Sequence, residues 1–171
     1  LLKKQVAEEP ENGFAWFNLA QVLRPRLLDD LDKYAPEFTE AARKALACTS
    51  ADNVRQRNTH LMALDQLAWV SFYRGEYAQA REWVNRALEI KPDYLDPLML
   101  AGHIHSKQQE YEEAIRAYQR YLDAQRAFAA NPQVDTPMLY HPDSRATALF
   151  GMGLAAEMDQ DSATAREYYS K

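Results

Sequence analysis

The chain has 171 residues and a formal net charge of −5, and its 10 tyrosines against 5 glycines suit packed helices better than a sheet with many tight turns. Its length is enough for one continuous hydrophobic core. The negative charge and the scattered basic residues argue against a nucleic-acid partner. No apolar run approaches the roughly 18 residues of a membrane-spanning helix. The single cysteine, Cys48, excludes an internal disulfide.

The first part of the chain predicts helices that are separated by one long turn. Residues 1–9 indicate the second helix of a preceding unit, which Pro10 ends. Because such a helix needs a partner to bury its apolar face, we expect the chain to be part of a longer protein. A helix from Phe14 to about Leu23 follows, then a turn with the sequence RPRLLDDLDKYAP, then a helix from about Glu37 to Cys48. Polar residues 53–58 are expected to lengthen the next helix at its start.

The clearest pattern lies in residues 64–92, which predict two amphipathic helices joined at residues 74–76. Leu64, Leu67 and Ala68 form the apolar stripe of the first helix, and Tyr77, Ala80 and Val84 belong to that of the second. The pattern recurs 34 residues later and, less completely, before and after. The corresponding positions are Trp16, Leu19, Ala20, Leu98, Ala101, Gly102, Tyr111, Ala114, Tyr118, Leu149, Met152, Gly153, Ala165 and Tyr169.

This pattern resembles the tetratricopeptide repeat, a helix–turn–helix unit of 34 residues. The resemblance implies an all-α fold, a right-handed solenoid of antiparallel helix pairs that forms a single array over residues 1–171. Its parts are the tail of a preceding repeat at 1–12, a repeat with an insertion at 13–50, regular repeats at 61–94 and 95–128, an insertion loop at 129–145, and a final, incomplete repeat at 146–171.

Members of this family usually bind their partners on the concave surface that the first helices form. The resemblance places on that surface Phe17, Gln21, Asp65, Trp69, Phe72, Tyr73, Met99, His103, Ser106, Lys107, Phe150, Leu154 and Glu157. Trp69, Phe72 and Tyr73 share one face of the predicted helix, away from its apolar stripe. Aromatic anchors dominate many interfaces, so these three are predicted to bind a peptide or helix. The same spacing also suits aromatic rings that pack against a neighbouring helix or against the insertion.

The sequence contains no catalytic, cofactor or metal motif, such as a glycine-rich phosphate loop, HExxH or a cysteine pair. His103 and His105 lie about 200° apart around a helix, which does not allow them to share a metal ion. Some co-chaperones of this family hold a carboxylate with a clamp of Lys, Asn and Arg. The absence of basic residues at the corresponding positions argues against a chaperone-tail adaptor. These positions are Phe17, Gln21, Asp65, Gln66, Trp69, Asp96 and Leu100.

Three possibilities for the function remain open from the sequence. The first is a cytoplasmic, non-catalytic scaffold that binds a protein or peptide. The second is an appendage of a larger enzyme, because the broken repeat order with a proline-containing insertion is similar to repeats appended to bacterial family-2 glycosyltransferases. The partner would then be another domain of the same polypeptide. Self-association through exposed array ends is a third possibility.

Overall fold

The computed structural model describes residues 1–131 and 144–171, with Ser144 described by its backbone alone. The insertion predicted at 129–145 therefore lies mostly outside the described residues. All regular structure in the described part is α-helical. The helices are α1 Leu2–Glu8, α2 Gly13–Asp29, α3 Leu31–Ala47, α4 Val54–Tyr73, α5 Tyr77–Ile90, α6 Leu95–Lys107, α7 Tyr111–Ala130, α8 Ser144–Met158 and α9 Ser162–Tyr169.

The helices belong to two compact units, residues 1–90 and residues 91–171. In the first unit α2 pairs with α3 and α4 with α5, while α3 packs on α4 and α1 on α2. In the second unit α6 pairs with α7 and α8 with α9, while α8 packs on both α6 and α7. Each unit is therefore built from neighbouring helix pairs, as the repeat pattern predicts.

The long turn predicted between α2 and α3 is wrong, because only Asp30 separates the two helices. Pro25 and Pro36 lie inside the helices, although a proline in a helix interior costs about 3 kcal/mol. Burial of Leu27 and Ala35, which join the same core cluster, offsets that cost. The Asp30 side chain caps α3 by accepting a hydrogen bond of 3.1 Å from the backbone N–H of Lys33.

Helix α4 starts early, as residues 53–58 predict. It begins at Val54, and the Asn53 side chain caps it by accepting a hydrogen bond of 3.0 Å from the Arg55 N–H. His60 in the added turn bonds through Nδ1 to Thr49, at 3.1 Å from both the hydroxyl and the carbonyl oxygen. These bonds fasten the start of α4 to the end of α3.

One turn geometry recurs between the helices of three pairs. Gly75, Gln109 and Gln160 all adopt positive φ, at 73°, 63° and 63°. In each case the next N–H bonds at 2.9 Å to a carbonyl five residues back, on Ser71, His105 and Ala156. This left-handed termination of the first helix fixes the direction in which the second helix begins. It is absent between α2 and α3, where Asp30 has φ −156°.

The core of the first unit contains a cluster built mainly from α2, α3 and α4. Phe38 and Leu23 are almost fully buried at its centre, with Leu67 and Val70 from α4 against them. The half-buried rings of Trp16 and Trp83 cover its edges. This cluster fixes which face of α2 and of α4 remains for other contacts.

Tyr118 has the corresponding role in the second unit. Its ring is 1% exposed, and a β-carbon added at Gly102 of α6 or Gly151 of α8 would come within 2.3 Å or 2.7 Å of it. The two glycines therefore leave the space that the ring fills. Tyr118 of α7 is thus held between α6 and α8.

Candidate functional site

The outer face of α4 carries a group of aromatic side chains that is distinct from its core face. Leu61, Leu64, Leu67 and Ala68 are fully buried and turn toward the helical core. Trp69 and Phe72 are half-buried, and Tyr73 is 42% exposed. Together with Tyr77 at the start of α5, these three residues form what we term the α4 aromatic cluster.

The rings of the α4 aromatic cluster contact one another. The Trp69 ring centroid lies 5.9 Å from that of Phe72, edge to face, and 5.6 Å from that of Tyr73. Phe72 lies 6.0 Å from Tyr73 and 5.7 Å from Tyr77. These centroid distances lie in the range of favourable aromatic pairs. Each ring therefore restricts the rotamers of its neighbours.

Tyr73 lies at the exposed end of the cluster, within the electrostatic reach of two charged residues. Burial raises the pKa of its hydroxyl, the positive charge of Arg24 lowers it, and the negative charge of Asp65 raises it. Arg24 belongs to α2, which contacts α4. The site therefore includes the end of α2 as well as α4.

The facing stripe of α2 consists of Phe17, Gln21, Arg24 and Leu28, spaced so that they share one face of the helix. Phe17 is buried, in a cluster with Ala45 and Ala63. Gln21 and Arg24 are half-buried, and Leu28 is 75% exposed. Exposure along the stripe increases from the buried Phe17 to the exposed Leu28. Exposure along α4 increases likewise from Asp65 to Tyr73.

Three of the predicted groove residues are buried and offer little surface to a partner. Phe17 and Met99 are each 7% exposed, and Asp65 is 3% exposed. Small neighbours explain Phe17, because Ala45 and Ala63 leave room for its ring. In contrast, Trp69, Phe72 and Tyr73 lie together as their spacing predicts.

One predicted residue of α6, His103, contacts the Tyr118 hydroxyl. His103 is half-buried, and its Nδ1 lies 2.8 Å from that hydroxyl. Burial lowers the pKa of His103, and the positive charge of Lys107 lowers it further. Lys107 itself is exposed and Ser106 is half-buried. His103 therefore has a structural contact in this unit.

These shifts predict that the protein loses stability in mild acid. The unfolded chain binds protons at His103 and His60 near the ordinary pKa of about 6.5, whereas burial lowers both values in the folded state. The free energy of unfolding should thus be highest above pH 6.5 and decrease as the pH drops toward 5. Urea titrations from pH 8 to 5 measure this slope. His103→Gln should flatten it, and a variant with the wild-type slope would contradict the assignment.

The predicted residues of α8 form a second exposed surface. Phe150 and Leu154 are exposed, as are Glu157 and Met158 one or two turns later. The Phe150 ring lies 6.0 Å from Tyr169 of α9, whose hydroxyl donates a 2.9 Å hydrogen bond to Glu157. A surface cavity of about 370 Å³ opens beside Phe150. It is lined by Arg145, Ala146, Leu149, Phe150, Tyr168, Tyr169 and Lys171.

Among residues 1–131 and 144–171, no group of three or more His, Cys, Asp or Glu residues is placed to hold a metal ion. In the same residues, no helix is long and apolar enough to cross a membrane.

Two family models match consecutive parts of the chain, each described as a tetratricopeptide repeat. They cover residues 62–94 and 95–128. The chain contains tetratricopeptide repeats. The matched ranges differ by at most one residue from the regular repeats that the sequence pattern predicts.

The chain is also similar in fold to several solved structures. A crystal structure of MamA aligns with 99% of this chain and 81% of its own, with a TM-score of 0.72 and 19% identity. A second MamA structure has a TM-score of 0.69 and 20% identity, and it aligns with 99% of this chain and 75% of its own. A crystal structure of PilW, described as a type IV pilus biogenesis factor, has a TM-score of 0.52 and 15% sequence identity. It aligns with 98% of this chain and 79% of its own. No curated protein matches the chain.

The predicted fold class, an all-α fold of the tetratricopeptide type, is confirmed by these matches. Repeats of this type serve protein–protein interaction and are generally non-catalytic. The sequence pattern did not predict Arg24, Leu28 or Tyr77 at this site. Arg24 and Leu28 continue the stripe of Phe17 and Gln21, so an α2 extended through Pro25 would have placed them at the site.

Proposed function

We propose that the chain is a non-catalytic interaction scaffold, and that the α4 aromatic cluster binds a peptide or helix of a partner protein. The observation that carries this proposal is the group of four contacting rings beside, rather than within, the helical core. Tyr73 supplies exposed aromatic surface, and Trp69 and Phe72 hold it in place. Half-buried Trp and Tyr side chains are the residues most often found to dominate binding energy.

The packing of the rings also favours tight binding. A side chain that must be fixed on association costs about 0.5–1.5 kcal/mol in lost rotamer freedom. Trp69, Phe72 and Tyr77 restrict one another before a ligand arrives, so less of this cost remains for the complex. The cluster is therefore a partly preorganised anchor.

Other predicted contacts stay part of the proposal. In the first unit Gln21 is half-buried on the α2 stripe, beside the cluster. In the second unit His103, Lys107, Phe150 and Leu154 keep some surface, whereas burial of Met99 makes it the weakest of this group. A cytoplasmic location and self-association through the ends of the array also stay predictions.

The proposal is tested by selecting peptides against the purified chain. Random 12-residue peptides displayed on phage are panned, synthesised and titrated by fluorescence polarisation. Trp69→Ala should weaken binding by at least about 30-fold, because loss of a dominant aromatic anchor costs about 2 kcal/mol or more. Tyr73→Ala, at a more exposed position, should weaken it in the same direction without endangering the fold.

Val22→Ser is the matched control. Val22 is exposed on α2 but lies outside the stripe of Phe17, Gln21, Arg24 and Leu28, so its replacement should leave the affinity within twofold. Circular dichroism shows whether each variant is folded. Failure to select any peptide would contradict the proposal. So would folded Trp69→Ala and Tyr73→Ala variants that bind the peptide as tightly as the wild-type chain.

The alternative of an appendage to a larger enzyme, such as a nucleotide-sugar glycosyltransferase, makes a different prediction. An antibody against this segment would detect a native polypeptide much larger than the segment's 19.7 kDa. No contact in the described residues favours a glycosyltransferase over any other attached domain.

A further inference from the structure

The side chain of Arg24 lies on the α2 stripe of the site. It is half-buried on α2, and among the described residues no hydrogen bond or ion pair joins its guanidinium to another side chain. By comparison, Arg74, Arg116 and Arg126 each pair with a nearby carboxylate. A half-buried guanidinium has lost part of its hydration, so an external carboxylate there restores more interaction than at a fully exposed arginine.

The position of Arg24 links it to the α4 aromatic cluster. Helix α2 contacts α4, and the Arg24 charge acts on the Tyr73 hydroxyl. Leu28, one turn further along the same stripe, adds exposed apolar surface. Arg24 therefore shares one face of α2 with the exposed Leu28, and its charge reaches Tyr73 on α4.

The negative charge of Asp65 does not cancel this cation at the surface. Asp65 also acts on Tyr73, but it lies eight residues earlier in α4 and is 3% exposed. A ligand that covers the exposed Tyr73 and Leu28 reaches the half-buried Arg24 more readily than the buried Asp65 carboxylate.

We propose that the partner of this site is a peptide segment with an acidic side chain next to a large apolar one, the carboxylate binding Arg24 and the apolar group covering Tyr73 and Leu28. This rests on the proposed function, because it specifies the ligand of the same cluster. Guanidinium groups bind carboxylates with paired, charge-assisted hydrogen bonds, which gives the segment a fixed orientation.

Defined peptides test the inference. The probes are 12-residue peptides, acetylated and amidated, with a central tryptophan or leucine that is flanked at varied positions by Glu, Gln or Lys. The best Glu peptide should bind about tenfold more tightly than its Gln counterpart, since one charged hydrogen-bonded contact is worth about that factor. Arg24→Gln should remove the difference, and Arg24→Lys should retain part of it.

Arg26→Gln is the control, because Arg26 is exposed two residues away on another face of α2, with its guanidinium 5.8 Å from the Tyr34 ring. It should keep the tenfold preference. A fourth peptide series with Gln flanks and a free C-terminal carboxylate separates a terminal carboxylate from an acidic side chain. Tighter binding of that series than of the Glu series would overturn the inference.

The outcomes separate this inference from the proposed function. Equal, Trp69-dependent binding of the Glu and Gln peptides would overturn the acidic preference and leave the aromatic site intact. A Glu preference that survives Arg24→Gln would also overturn the inference. No binding by any series would count against both.

Discussion

Replacing Tyr118 with Ala should lower the free energy of unfolding by about 3–5 kcal/mol, the usual cost of emptying a buried aromatic position. The ring is 1% exposed and fills the space that Gly102 and Gly151 leave on two other helices. Neither glycine has a side chain that can move into the cavity. We therefore expect a cost near the upper end of this range, measured by urea unfolding.

Tyr118→Phe is the control for that experiment, because it keeps the ring and removes only the hydroxyl. The loss of its contact with His103 Nδ1 should cost about 1 kcal/mol, or somewhat more if the imidazole stays unsatisfied. Equal losses for the Ala and Phe variants would mean that the hydrogen bond, and not the packed ring, stabilises the second unit.

The second large effect is expected from adding one methyl group at Gly102. The new β-carbon would lie 2.3 Å from the Tyr118 ring, and a ring that is almost fully enclosed has no room to shift. Overpacking of this kind costs about 1–3 kcal/mol, which the higher helix propensity of Ala offsets by up to about 1 kcal/mol. Gly102→Ala should therefore destabilise the protein by about 1–2 kcal/mol.

Gly153→Ala provides a matched comparison within the same unit. Its β-carbon would also lie 2.3 Å from a tyrosine ring, that of Tyr169, but this ring is 46% exposed and can move toward solvent. The change should range from none to a gain of about 1 kcal/mol. A Gly153→Ala variant as unstable as Gly102→Ala would contradict the view that enclosure of the ring determines the cost. Paired thermal and urea unfolding of both variants decides this.

Local periodicity was sufficient to predict the regular repeats. The pattern of apolar and turn residues in 64–92 recurs 34 residues later. Gly102 and Tyr118 also have the same 16-residue separation as Gly153 and Tyr169. The α2–α3 region was wrongly predicted because Pro25 and Pro36 indicate a turn locally. Burial of Leu27 and Ala35 is a tertiary effect that overrides this local preference.

The candidate site was predictable only in part. The spacing of Trp69, Phe72 and Tyr73 identified the aromatic face, since that depends on helix geometry alone. The burial of Phe17 depends on the small residues Ala45 and Ala63, which come from other helices. Arg24 was missed because the predicted turn begins at that residue. The extension of α2 to Asp29 brings its charge to Tyr73.

The three tryptophans allow a direct test of the central claim that the α4 aromatic cluster binds the partner. Each indole N–H gives a separate signal in a ¹⁵N–¹H spectrum. Trp16 donates its N–H to the Pro10 carbonyl at 2.8 Å, and Trp83 lies under Arg86 on α5. On titration with the selected peptide, the Trp69 signal should shift while those of Trp16 and Trp83 stay in place. A shift of Trp83 with no change at Trp69 would contradict the account.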